Sequence, residues 1–437
     1  MNKVKYILSG CCCCLWWAVA PAQEKRIFTL DECKEMAVEY NVQVKNGNLD
    51  VKAAKETCKE AFTKYFPTLS ASGTTYKAND NLIKATVPPI PPLGIEQPME
   101  VGVLEKGSIV MVSATQPIFA GGQIVNSNKL AKKVVEASEL QLDMTCDKVM
   151  LETEEHYWKI VSLKEAVKTL DVLDSLLSSL YKDVSLAVDA GITTKNDLLT
   201  VRLKQNEVSS TRLEVENGLS LSRMALCQYI GLPLEAANYL DVTELSGTIQ
   251  HPDAYRVNHA EALRGLSGYR LLDKNVEVHQ LKRKIKLGEQ LPTVGVGVSY
   301  AHEDLMKHHR NHVMVMATVS VPLTDWWSGH HKVQRSRMEE KKAINDREDG
   351  AEKLQLQMQQ SWNLLEEAYR QIMLAEVAVE ESSENVRMQT ANYKAGTSTL
   401  SELLDAQSIF RQSRNRHTDA CITYRTRLTK YLIDTGQ

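Results

Sequence analysis

Apolar residues recur every three or four positions through the middle of this chain. Leu163, Val167, Leu170, Leu173, Leu177, Leu180 and Val184 are spaced 4, 3, 3, 4, 3 and 4 apart, the seam of a coiled coil. Leu365, Tyr369, Ile372, Ala375 and Val379 carry the same rhythm further on. Elsewhere the period drops to two. Val294, Val296, Val298 and Tyr300 alternate with Thr293, Gly295, Gly297 and Ser299, and Val313, Val315, Ala317, Val319 and Val321 alternate with Met314, Met316, Thr318 and Ser320. Such alternation predicts strands with one apolar face, of the length that crosses a membrane in a β-barrel.

Proline punctuates the chain in a way that reveals a duplication. Residues 118–232 and 323–437 contain no proline, and each stretch is 115 residues long. Proline lacks an N–H and clashes with the preceding turn, so clean spans of this length predict long helices. Gly191 and Gly396 interrupt the two spans at the same place. They are 205 residues apart, as are Pro117 and Pro322, and Gly231 and Gly436. From residue 123 to 190 a straight helix reaches about 100 Å. The glycine then allows reversal into a shorter return helix.

The segments ahead of these spans follow one order. A helical pattern from about Leu30 to Tyr65 leads to a strand at 68–77, a proline-rich loop and a strand at 108–117. A helix from about Asp253 to Glu289 leads to a strand at 293–301, a His-rich loop and a strand at 313–321. Pro67 and Pro292 are 225 apart, which gives the first hairpin about twenty more residues of loop than the 205-residue offset alone. The chain reads as two repeats, 23–250 and 251–437.

Composition narrows the setting. Lys3 and Lys5, an apolar run and Ala20-Pro21-Ala22 form a secretory signal peptide over 1–22. Leu8-Ser9-Gly10-Cys11 matches a lipobox, but too few apolar residues precede Cys11 for lipidation to be expected there. The net charge of −3 becomes −5 without the signal, so no basic field points to nucleic acid. Five cysteines remain, widely spaced and odd in number, which predicts scattered buried thiols and neither a zinc site nor a disulfide framework. No apolar run of membrane-helix length exists outside the signal. An exported chain of this kind spans a membrane only as part of a closed barrel.

No Gly-x-Ser-x-Gly elbow, Walker loop, His-Glu-x-x-His or dinucleotide fingerprint occurs, so neither an enzyme nor a cofactor is implied. His302, His308, His309 and His312 cluster near Glu303 and Asp304 and are weak metal candidates, because their spacing matches no standard ligand set. His330 and His331 follow the last strand and, if the strands cross a membrane, lie on its other side and cannot complete that cluster.

The duplicated order, with Thr115-Gln116-Pro117-Ile118-Phe119, Tyr393-Lys394-Ala395-Gly396 and Leu403-Leu404-Asp405-Ala406-Gln407, resembles the TolC-type outer-membrane ducts of bacterial efflux and type I secretion. Ala190-Gly191-Ile192-Thr193-Thr194 and Asp197-Leu198-Leu199 form a weaker counterpart in the first repeat. The resemblance covers essentially the whole mature chain. It implies a mainly α fold with membrane β: a homotrimer in which each protomer gives four strands to a shared twelve-stranded barrel in outer-membrane lipid, with a coiled-coil α-barrel in the periplasm of a Gram-negative bacterium. It also implies a periplasmic adaptor and an inner-membrane pump or ABC transporter as partners. Asp405, Glu402 and Asp197 match the acidic constriction of such ducts, with Glu402 in place of the usual aspartate. Gly191, Ile192, Tyr393, Gly396 and Thr397 match the periplasmic tip that meets the adaptor. The competing expectation is a periplasmic coiled-coil structural or adaptor protein without a channel.

Overall fold

A computed structural model describes residues 26–437 apart from 81, 90–91, 93–96, 104–105, 246, 306–307 and 324. The signal segment and Cys11 therefore lie outside the described residues. Two long helices dominate, α3 (Gln123–Asp189) and α7 (Asp325–Lys394), each followed by a return helix, α4 (Lys195–Tyr229) and α8 (Leu400–Thr435). Both long helices contribute to both of the compact units into which the chain divides. One unit comprises residues up to 41 with 149–251 and 367–426. The other comprises 42–148, 252–366 and 427–437. Each unit thus takes material from both sequence repeats.

In the first unit, strand β1 (Arg26–Phe28) pairs in parallel with β6 (Leu240–Val242), and helix α1 (Leu30–Tyr40) follows β1. Thr29 and Glu32 close a capping box at the start of α1. Cys33, Ala37, Tyr157, Ile160, Leu226, Cys227 and Ile230 are fully or almost fully buried beside these elements. Burial pushes the Cys33 thiol up to about 12, so it stays an inert packing group. Glu154 is 1% exposed and accepts from the Lys34 ammonium at 2.6 Å and the Trp158 indole N–H at 2.9 Å. A charge this deep is tolerated only with such partners.

In the second unit, four strands form one sheet in the order β2 (Thr68–Lys77), β5 (Lys106–Ala120), β7 (Thr293–Leu305), β8 (His308–Ser320), all antiparallel. The β5–β7 ladder joins the two repeats. Pro117 cannot donate to a ladder, and the register shifts between Pro117 and Phe119, a bulge that accommodates it. On one face, Val313, Val315 and Val319 are 66%, 76% and 65% exposed, and opposite them Val294, Val296, Val298 and Tyr300 continue the apolar surface. On the other face Ser299 and Ala301 are buried. Strands β2 and β8 are the edges of the sheet.

Three local expectations change. The helical run predicted from Leu30 to Tyr65 is broken at Asn41, which is extended and separates α1 from α2 (Val42–Thr63). The run from Asp253 to Glu289 is also broken. Short 3-10 turns and α5 (His259–Ala262) precede Leu266, again extended, before α6 (Ser267–Gly288). Asn41 and Leu266 are 225 residues apart, the repeat offset of the pre-strand segments. Finally, the proline-rich loop contains a small hairpin, β3 (Ile83–Val87) with β4 (Met99–Val103).

Candidate functional site

The strongest functional candidates sit at the two turns between long and return helices. At the end of α3 the Ile192 N–H bonds to Ala187 O at 2.8 Å and the Gly191 N–H to Val188 O at 2.9 Å. At the end of α7 the Thr397 N–H bonds to Asn392 O and the Gly396 N–H to Tyr393 O, both at 3.0 Å. These are two copies of a Schellman motif. Gly191 and Gly396 both have φ +74°, and a Cβ added to either would meet nothing within 4 Å. Within the chain it is the backbone conformation, and no close contact, that calls for glycine at both positions.

The residue that follows each turn is a threonine N-cap. Thr194 Oγ1 accepts from the Asp197 N–H at 3.3 Å, while Asp197 Oδ2 accepts from the Thr194 N–H at 3.3 Å, the Thr194 hydroxyl at 3.0 Å and the Thr193 hydroxyl. In the second repeat Thr399 Oγ1 accepts from the Glu402 N–H at 3.3 Å, Glu402 Oε2 accepts from the Thr399 N–H at 2.8 Å, and Ser398 Oγ lies 2.6 Å from Glu402 Oε2. Asp197 and Glu402 are thus equivalent members of two capping boxes. The Thr-x-x-acid spacing directly after each glycine turn is the sequence signal for this role, which the expected acidic constriction did not include.

These bonds stabilise the ionised forms. The Thr193 hydroxyl, with Thr194 behind it, holds the Asp197 carboxyl below its ordinary value, and Ser398 with the Thr399 N–H does the same for Glu402. The sign follows directly. A carboxyl whose folded pKa is depressed contributes stability above its unfolded pKa and loses it as pH falls through the folded value. After correction for intrinsic rates, amide exchange in the first turns of α4 and α8 is therefore expected to quicken below the usual carboxylate range. Thr194→Ala and Thr399→Ala should each remove about 1 kcal/mol of local protection already at neutral pH. Protection unchanged in both variants would mean the boxes do not brace the turns.

Asp405 differs from both. It is exposed on α8, three residues past Glu402, and its carboxylate has no hydrogen-bond or ionic partner among the described residues. Leu400, Leu403 and Leu404 beside it are buried in one apolar cluster with Leu177, Leu180, Val184, Val201 and Val208. That cluster fixes which face of α8 turns outward, and Asp405 is on the outward face. Tyr393 packs half-buried against the same cluster, and burial, with Asp197 and Asp183 nearby, raises its phenol. Ile192 is 80% exposed, and Leu186, Leu199 and Leu203 add exposed apolar surface on α3 and α4. These leucines fall outside the coiled-coil seam, which is why periodicity alone passed over them.

The histidine cluster lies on strands, not on a loop. Cross-strand register places His302 opposite Asn311 and Asp304 opposite His309 on one face, with Glu303 opposite Arg310 and Ala301 opposite His312 on the other. His302 Nδ1 lies 2.6 Å from Asn311 Oδ1, and His309 Nδ1 is 3.5 Å from Asp304 Oδ1. On the opposite face His312 Nε2 is 3.7 Å from Glu303 Oε1. The side chain of His308 lies outside the described residues. Among the described residues no three histidine, cysteine or acidic groups converge as a metal set.

Comparison with known proteins gives a consistent picture. Residues 275–429 match the family described as outer membrane efflux protein. No curated protein sequence matches the chain. Among solved structures, the chain is similar to the outer membrane protein VceC of Vibrio cholerae, at 11% identity and TM-score 0.76 over 93% of this chain and 96% of that one. It is also similar to the CmeC outer membrane channel of Campylobacter jejuni, at 12% identity and TM-score 0.76 over 93% of this chain and 85% of that one. The open-state MtrE outer membrane channel of Neisseria gonorrhoeae matches at 14% identity and TM-score 0.73, over 93% of this chain and 88% of that one.

Proposed function

We infer that this chain, an outer-membrane efflux protein by the domain in its second repeat and the channel fold around it, is the exit duct of an efflux system. The observation that carries this reading is the four-stranded sheet. It exposes a continuous apolar face, ends in two unpaired edges, and leads directly into α3 and α7. In lipid each unpaired backbone group costs several kcal/mol, so four strands need further copies to close. Three copies supply twelve strands. No observation favours the periplasmic scaffold.

The duct conducts passively, and its turns form the periplasmic gate. One apolar cluster packs the return helices α4 and α8 with α3, and the capping boxes of Asp197 and Glu402 fix where each return begins. Asp405 then projects from a rigid helix, and three copies form a ring of carboxylates that favours cations and repels anions. Ile192 and Thr397, both exposed at the turns, meet the periplasmic adaptor, through which an inner-membrane pump opens the gate.

Electron microscopy of the detergent-purified protein tests the duct. Hollow threefold cylinders longer than about 100 Å are expected, and compact monomers or solid rods would overturn it. The gate has its own test in planar bilayers. Asp405→Ala should raise resting conductance or lower cation selectivity, and unchanged values of both would remove Asp405 from the constriction.

A further inference from the structure

The chain as a whole is acidic, with a net charge of −3, but its charge is unevenly placed. Residues 282–290 and 328–343 together hold nine Lys or Arg against three Glu. Their counterparts in the first repeat, 57–65 and 123–138, hold five Lys against two Glu. All four segments adjoin the sheet in sequence: two are the ends of helices entering it, and two are the first turns of helices leaving it.

The basic segments of the second repeat face each other across a cleft of about 130 Å³ between α6 and α7. It is lined by Lys282, Lys286, Lys332 and Arg335, with Glu339 as the one acid. A second opening of about 250 Å³ continues past Lys286 and Lys332 to Gln290, whose amide bonds to Gly329 O at 2.7 Å. Lys282 has no ionic partner among the described residues. Lys286 holds Glu289 at 2.6 Å, and Arg335 lies 3.8 Å from Glu339. Same-helix pairs as exposed as Arg335–Glu339 are weak and open readily to another anion.

Trp327 supplies an independent observation. It is 81% exposed on the first turn of α7, and Leu323 and Leu291 beside the strand ends are 64% and 45% exposed. Large amphipathic rings concentrate where hydrocarbon gives way to headgroups. Lys286 precedes the first residue of β7 by seven positions, and Lys332 ends the second turn of α7. Long basic side chains at that distance from the strands reach back towards the headgroup layer.

We propose that the cleft between the end of α6 and the start of α7 binds the phosphate of an anionic phospholipid in the periplasmic leaflet of the membrane that the sheet spans. The proposal rests on the duct reading, because only a membrane-spanning sheet brings this cleft to lipid. The bound headgroup would fix the depth at which the strands sit, with the acyl chains lying along the apolar surface beside Trp327.

Native mass spectrometry of the full protein, released from micelles containing equal phosphatidylglycerol and phosphatidylcholine, tests it. Phosphatidylglycerol should be retained over phosphatidylcholine by at least about fivefold, the factor one basic residue contributes at an anionic surface. The combined variant Lys282→Gln, Lys286→Gln, Lys332→Gln and Arg335→Gln should retain the two equally, while Lys→Arg exchange at the three lysines keeps the preference. Equal retention by the unmodified protein would overturn the proposal whether or not the variant assembles. So would a preference unmoved between about 50 mM and about 500 mM salt, since headgroup attraction is screened over this range. Loss of the preference in millimolar inorganic phosphate would reassign the cleft to a free anion. A shifted reversal potential in the Gln variant, with lipid retention unchanged, would place the cations in the lumen. A chain that enters no bilayer at all sinks the duct reading, whereas one that enters without preferring phosphatidylglycerol sinks only this cleft.

Discussion

Replacing Leu173 with proline is expected to leave no assembled protein. Leu173 lies deep inside α3 and is 4% exposed. Proline removes one helical hydrogen bond and clashes with the turn before it, at a cost of about 3 kcal/mol or more. Shortening a buried leucine side chain adds about 2 kcal/mol or more. The sum is comparable with the whole stability of an ordinary domain, about 5–15 kcal/mol. Leu173→Met keeps the volume and the helix and should cost under about 1.5 kcal/mol. Circular dichroism and native gels of both variants decide the matter. Normal helicity and assembly in the proline variant would contradict a continuous α3.

Gly121→Ala is expected to be nearly as damaging, although the change adds one methyl group. Gly121 has φ +59°, and its Cβ would lie 2.2 Å from Gly288 O. The reciprocal Cβ on Gly288 would lie 2.4 Å from Gly121 O. Both obstacles are backbone, so no flexible side chain can move aside. The left-handed conformation alone costs an alanine about 1–2 kcal/mol. Separating two packed chain segments adds to this, and the total should exceed about 3 kcal/mol, beyond the range of most single substitutions. Gly191→Ala is the control. It shares a positive φ of +74° but would meet nothing within 4 Å, so only the conformational part applies. Denaturant titration of the two variants should separate them clearly. Equal losses would show that the approach of Gly121 to Gly288 contributes nothing.

Much of the tip was legible because its constraints are local. A left-handed turn needs glycine, and Gly191 and Gly396 stand where two proline-free spans reverse. The capping role of Asp197 and Glu402 was equally local, written as threonine followed three residues later by an acid, but the match to an acidic constriction drew attention from it. The histidines show the opposite case. Their sequence proximity suggested a common site, yet alternation along β7 and β8 sends His302 and His309 to one face and His312 to the other.

The break at Asn41 carries no proline or glycine and was invisible in the pattern, whereas Leu266 stands between Gly265 and Gly268, a signal that the continuous run from Asp253 to Glu289 passed over. The Asn41 amide bonds to Tyr229 O at 3.2 Å, and a Cβ on Gly231 would lie 2.4 Å from Tyr40 Cβ. In the second repeat the approach is looser, a Cβ on Gly436 lying 3.3 Å from Leu266 Cδ2. The break at Asn41 is therefore set by the end of a return helix that is distant in sequence.

By itself the sequence determined the period of each segment, the two long helices, their glycine turns and the 205-residue duplication. These follow from steric and hydrophobic rules that act within a few residues of the chain. Only the tertiary structure decided that β5 pairs with β7, that the compact units cut across the repeats, and which carboxylates are occupied and which stands free. A strand's hydrogen bonds can be satisfied by many partners, and a helix can end wherever packing makes an extended residue the better choice. Such choices depend on contacts between segments far apart in the chain, which no local pattern encodes.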